Sequence, residues 1–585
     1  MNRQRSWGAV AATATTVLIL AACGGGSSDE GDGKGNGGGG TSEFNAAVTS
    51  VLNPSDEKGG IITMANSDVP DSLDPGDMYY GYMWNFVRLY GRPLVTFKPA
   101  VGAEGATLVP DLAESLGKPS ADAKTWTYTL RKGVKFEDGT VVTSKDVKYA
   151  VERQLDKSVL EHGPTYFNDS LIGGADYSAF KKGAKGLDSI ETPDDSTIVF
   201  HLKAPFSGFD YFAQLPATIP VPKAKDTGKK YQEHVVSTGP YKFSENKIGQ
   251  AFTLVRNDQW DPATDPNRKA LPDGFEVKEK VEANDIDNQL LSGDLDVAIE
   301  GTGVQSAAQV KILNDPTLKA NSDAAPQPRT WYTAINSDVA PFDNVACRKA
   351  VEFATDKVAY QNAFGGPLAG GKIATNLMPP LIPGQQSFDT YATPNNSGDV
   401  AKAKEQLTAC GKPDGFETNI SFRPERPKEK AAAEAMQQSL SKVGIKLTLK
   451  PYPAGDYFSL YAGNPEFAKK NNLGLMQMAW GADWNDGFGF LSQIVDSRVI
   501  RDAGNTNLGV KDPAVDALLD KALANTDTKS READWVAIDK KVMDDAYIVP
   551  GIWSNALLYR PKQLTNIAVS NGQSMYDYLL LGKKK

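Results

Sequence analysis

Apolar and polar positions alternate at two periods along this chain, and the periods switch repeatedly. Gly60-Ile61-Ile62-Thr63-Met64-Ala65, following Lys58-Gly59, predicts a first strand. Asp71-Ser72-Leu73-Asp74-Pro75 predicts a turn, and Met83 to Tyr90 a helix. Trp126, Tyr128 and Leu130 alternate with Thr127, Thr129 and Arg131, the period of a half-buried strand, and Asp138-Gly139 supplies a tight turn after it. Thr143 or Ser144 then caps a helix whose apolar face is Val147, Ala150, Val151 and Leu155. Ala432, Ala433, Met436 and Leu440 share one helical face, Gly444 closes it, and Ile445, Leu447 and Leu449 alternate as a strand. Strands and helices interleaved in this way predict an α/β architecture. Proline concentrates in the connections (Pro216, Pro220, Pro222; Pro379, Pro380, Pro383), and no short fixed repeat is visible.

The N-terminus breaks this pattern. Arg3 and Arg5 precede a mostly apolar stretch, Trp7 to Leu20, which runs into Leu20-Ala21-Ala22-Cys23. A positive start, a short hydrophobic middle and a small-residue exit make a secretory signal, too short for a bilayer span of about 20 residues. The cysteine at the exit resembles a bacterial lipobox, which implies that Cys23 becomes the lipidated first residue of the mature protein. An ordinary signal with an incidental cysteine is the alternative. Gly24 to Gly40 carries no apolar residue to bury and reads as a flexible tether. The expected layout is a signal peptide over 1–22 and a lipid-anchored tether over 23–58, holding a monomeric body at the outer face of the cell membrane.

Composition narrows the function classes. Most of the 585 residues remain for the body, room for two or three domains. A net charge of -9 argues against a nucleic-acid partner, and no later stretch resembles a transmembrane helix. With Cys23 lipidated, Cys347 and Cys410 form an even pair in an oxidising space, which predicts a structural disulfide of roughly 4 kcal/mol; two buried free thiols are the alternative. His162, His201 and His234 are scattered, with no His-Glu-x-x-His motif, no Gly-x-Ser-x-Gly elbow and no zinc-like cysteine spacing. Neither catalytic residues nor a metal or other cofactor are expected, and a secreted hydrolase is the least favoured class.

Several segments, in order, resemble the peptide- and nickel-type extracellular solute-binding proteins of ABC transporters. They are Pro70 to Pro75, Leu108 to Ser115, Trp126 to Phe136 with Asp138-Gly139-Thr140 and Asp146-Val147, Ser237 to Tyr241, Pro341 to Val345 with Arg348-Lys349-Ala350, and Trp480-Gly481-Ala482-Asp483-Trp484. The resemblance implies an α/β, two-lobed periplasmic-binding-protein-like fold with a hinge and an extra inserted subdomain. Lobe one would take 59–94, 223–326 and 547–585, the inserted subdomain 95–222, and lobe two 327–546. It implies capture of a peptide between the lobes and delivery to a membrane permease with its ATPase. A nickel chelate, an oligosaccharide, an opine-like compound or a peptide-sensing receptor role are the alternatives.

The resemblance also implies a site. Asp483 would pair with the ligand's α-ammonium group, because a carboxylate in a water-poor cleft needs a compensating cation. Trp480 would stack on a ligand side chain, and Gly481 would let an extended peptide approach the backbone. Trp484, Trp331 and Tyr332 are further candidates, with core packing as their alternative. Tyr82 is chosen from the cluster Tyr79, Tyr80, Tyr82 and Trp84, and Glu300 either faces the cleft or ends a strand.

Overall fold

Ile61–Ala65 forms the predicted first strand, with Ile62 and Met64 buried and Ile61 turned outward. It lies inside a five-stranded sheet, parallel to Gly274–Lys278 on one side and Val297–Ala298 on the other. Ala251–Arg256 and Tyr241–Lys247 complete the sheet as an antiparallel hairpin. The structure, a computed structural model, describes residues 43–525 and 527–584. Cys23, the signal segment and the first part of the tether lie outside them.

A second, six-stranded sheet runs in the order Gly371–Ile373, Ile548–Tyr559, Ser322–Ile335, Leu473–Gly481, Glu417–Phe422, Lys446–Pro451. Its last three strands are mutually parallel, and the helix Pro427–Ser441 makes the crossover between two of them. The apolar stripe read from sequence faces the sheet: Ala432, Ala433, Met436 and Leu440 are all buried. A third, four-stranded antiparallel sheet joins Lys118–Pro119, Thr125–Thr129, Thr197–His201 and Ile190–Asp194. Beside it, Thr143 and Asp146 form a capping box that starts the helix Ser144–Gln154.

Arg153 near the end of that helix ties the third sheet to the predicted turn. Its guanidinium binds both oxygens of Asp74 at 2.7 and 2.8 Å and also Asp226 at 2.9 Å. All three side chains are buried, and the one guanidinium is shared by two carboxylates.

The long strand Ser322–Ile335 straddles the boundary expected at 326/327, and its antiparallel partner Ile548–Tyr559 begins just beyond the one expected at 546/547. Their register runs from Ser322–Tyr559 to Pro326–Asn555, is lost, and resumes at Thr330–Trp553. Pro326 and Pro328 interrupt the ladder there, since neither has an N–H to donate. Cys347 and Cys410 are disulfide-bonded, with Cα atoms 5.4 Å apart, joining the helix Val345–Ala354 to the end of the helix Val400–Ala409. Among the described residues no helix is long and apolar enough to cross a membrane.

Candidate binding cleft

Parallel strands of both sheets deliver their C-terminal ends to one cavity, the place where ligands bind in open α/β sheets. Leu473–Gly481 brings Trp480, Gly481 and then Asp483; Glu417–Phe422 leads to Arg423 and Arg426; beyond Ile61–Ala65 come Tyr79, Tyr80 and Trp84. About 140 Å³ of the cavity can hold the centres of water molecules.

Asp483 lies in the loop between Leu473–Gly481 and the helix Gly487–Val495. Its backbone N–H donates to Gly489 O at 3.0 Å, and Asp486 caps the helix by accepting from the Gly489 N–H. The loop is therefore fixed from both sides, and the carboxylate is held toward the other lobe. There the hydroxyls of Tyr79 and Tyr166 donate to its Oδ2 at 3.0 and 2.6 Å. Among the described residues no Arg, Lys or His lies within salt-bridge distance of it. Burial pushes its pKa up to about 7, with the two tyrosine hydrogen bonds opposing the rise. Asp483 is thus a carboxylate served by neutral donors only.

The aromatic walls follow from the same elements. Asp71 Oδ2 accepts the N–H groups of Tyr79 and Tyr80 at 2.5 and 3.1 Å and so sets the loop that carries them. Tyr79 meets Trp480 edge-on at 5.6 Å and stacks on Trp84 at 5.7 Å. Trp480, Gly481 and Asp483 all line the cavity.

Other expected site residues are placed elsewhere. Tyr82 points into the first lobe, its hydroxyl receiving a hydrogen bond from Asn66 Nδ2 at 3.1 Å; its neighbours Tyr79 and Tyr80 line the cavity instead. Trp331 and Tyr332 are core residues, not walls of this cavity. They sit on an interior strand covered on both faces, so Trp331 packs on Phe364 at 4.7 Å while the Tyr332 hydroxyl reaches Met478 Sδ. Trp484 is buried beneath the cleft, stacked on Tyr211 at 5.2 Å and packed on Tyr166. Glu300 ends the short strand Val297–Ala298 and accepts the Ser67 N–H at 3.0 Å, outside the main cavity. It belongs to a contact between the lobes: Arg426 binds Asp68 at 2.7 Å, stands 3.9 Å from Glu300 and covers the Tyr80 ring.

Sequence reasoning missed Tyr79, Tyr166, Arg329 and Arg426. The Tyr79–Trp84 cluster pointed to the right loop but not to the right tyrosine. For Arg329 the signal was the pair of prolines, Pro326 and Pro328, just ahead of an arginine in a strand.

A family model described as bacterial extracellular solute-binding proteins, family 5 Middle, matches residues 107–501, more than half of the chain. The chain belongs to this family. The family 5 protein is 29% identical over 489 residues to the probable D,D-dipeptide-binding periplasmic protein DdpA of Escherichia coli (strain K12), covering 82% of this chain and 86% of that one. It is 30% identical over 475 residues to heme-binding protein A of Haemophilus influenzae, covering 76% and 78%. Among solved structures it is similar to the clavulanic acid biosynthesis oligopeptide binding protein 2, with 38% identity, a TM-score of 0.84 and coverage of 93% and 99%. The fold of the family 5 protein is accordingly the two-lobed α/β fold of periplasmic binding proteins, and its family is one of binding proteins, not of enzymes.

Proposed function

We propose that this protein captures peptides with a free amino terminus in the cleft and hands them to an ABC permease and its ATPase. The observation that carries this reading is the Asp483 carboxylate, which lines the cavity beside aromatic walls and, among the described residues, has hydroxyl donors but no cation. A ligand ammonium group supplies the missing charge, and aromatic walls accept varied side chains without demanding fixed hydrogen bonds. The names of relatives that bind dipeptides and oligopeptides support the same ligand class. Binding closes two lobes about the strand pair whose register breaks near residue 326, a hinge transition.

Incubation with an enzymatic casein hydrolysate, followed by gel filtration, denaturation and mass spectrometry, tests the reading. Intact peptides should co-elute with the protein. Recovery of no peptide, or of cleaved peptides only, would refute it.

The protein is held at the outer membrane face through lipidated Cys23; of the tether expected over 23–58, the described part from residue 43 packs on the body, with Ala47 buried and Leu52 bridged to Ile567. Expressed in a bacterial host that lipidates such precursors, the Cys23→Ser protein should appear in the soluble extracytoplasmic fraction with unchanged peptide capture. Continued membrane fractionation of that variant would rule out the anchor.

A further inference from the structure

Trp484 is carried by the body of the six-stranded sheet but packed into the other one. Its loop follows Leu473–Gly481, whose Met476, Met478 and Trp480 join the core on their own side. Trp484 instead joins the core cluster that contains the four-stranded sheet. Its ring stacks on Tyr211 at 5.2 Å with 9° between the planes, and lies 5.0 Å from Tyr166 and 5.9 Å from Phe212. Neither Trp484 nor any of these three partners lines the cavity. The seat is separate from the space a guest occupies.

Each side of this contact is built by its own body. Asp486 Oδ1 accepts the Trp484 Nε1–H at 3.1 Å and the Gly489 N–H at 2.9 Å, so one carboxylate aims the indole and caps the helix Gly487–Val495. A Cβ at 489 would lie 2.6 Å from Trp484 O and 2.8 Å from its ring, which reserves the position for glycine. Opposite, Tyr211 and Phe212 ride on the short helix Asp210–Ala213, and Phe212 packs on Phe206 at 4.7 Å and Tyr166 at 5.1 Å. Because the indole N–H is satisfied within its own loop, the ring can leave the seat without breaking a hydrogen bond. It gives up only apolar burial and aromatic contact.

We propose that Trp484 is a closure plug: seated between Tyr166, Tyr211 and Phe212 it holds the two bodies shut over a guest, and it withdraws when they part. This rests on the peptide-binding reading and goes beyond it. Tyr166 links plug and guest, since its hydroxyl donates to Asp483 at 2.6 Å while its ring packs on Trp484. A guest held at Asp483 and a seated plug therefore demand the same placement of the two bodies.

Several peptides recovered from casein hydrolysate are titrated by calorimetry into the native protein and its variants. Trp484→Ala should weaken each of them about tenfold or more, by a similar factor for all, and Trp484→Phe should recover part of the loss. Tyr211→Ala should weaken binding too, but add little in the double variant, because the two rings act as one contact. Fluorotryptophan incorporation watches the plug itself, the signal missing from Trp484→Phe marking position 484. That signal should respond to exchange of water for heavy water in the ligand-free protein and cease to respond once peptide saturates it. Should Trp484→Ala fail to fold, this measurement on the native sequence decides alone. Unchanged affinity in the folded variants, a loss confined to one peptide, or a fluorine response indifferent to peptide would each overturn the plug while leaving peptide capture intact. Recovery of no peptide by the native protein would instead overturn the peptide reading, and this inference with it.

Discussion

Asp483→Asn is expected to lower affinity for a free-amino peptide about 100-fold, roughly 2.7 kcal/mol, while raising the stability of the ligand-free protein. The two effects have one cause. Removing one partner of a buried ion pair costs roughly 3–5 kcal/mol, because the other charge is left dehydrated and alone. In the ligand-free closed cleft the situation is reversed. A carboxyl whose pKa is raised on folding lowers stability as pH climbs from its ordinary value near 4 to its folded value of about 7, and an amide at 483 removes that cost. The same shift sets the pH profile. Below pH 7 the carboxyl of the closed form is protonated and must release its proton to meet an ammonium. Affinity should therefore fall by about tenfold per unit between pH 7 and pH 5, and Asp483→Asn should flatten the curve. Calorimetric titration of a retained peptide and its N-acetylated form reads all of this. Wild-type affinity in the asparagine variant, or for the acetylated peptide, would remove Asp483 from the ammonium site.

Replacing Cys347 and Cys410 together by serine is expected to cost about 4 kcal/mol in the chain-entropy account. The bond closes a loop of 63 residues between two helices that pack on one face of the six-stranded sheet. Trp480 belongs to the opposite face, so peptide affinity measured well below the unfolding transition should change less than twofold. Urea unfolding of the two forms, followed by tryptophan fluorescence, gives the difference. A loss under about 1 kcal/mol would mean that the loop is already restricted in the unfolded chain.

Local chemistry was legible in the sequence and long-range pairing was not. The helix start at Thr143, the amphipathic helix Pro427–Ser441 and the strand Thr125–Thr129 each depend on residues a few positions apart, and each formed as read; the part of Asp146 in the capping box was not read. Trp480 and Asp483 were named through the resemblance, and a strand end with its loop carries both to the cavity. Trp331 and Tyr332 were candidates through the resemblance, and their alternative, core packing, is what an interior strand covered on both faces imposes. Asp68 and Arg426 are 358 positions apart, and no spacing rule pairs them. Arg329 is harder still: what distinguishes it is an Nε buried without a partner among the described residues, visible only once its neighbours are placed.

The reach of Lys428 toward the carbonyls of Thr302 and Gly303 joins the two bodies from outside the cavity lining. These contacts contribute the same amount whatever cargo is aboard. Grip and taste are thus governed by separate residues: altering the clasp rescales every dissociation constant together, whereas altering the walls reorders them. A lineage could therefore adapt to scarce or abundant nutrients at position 428 alone, keeping its diet unchanged.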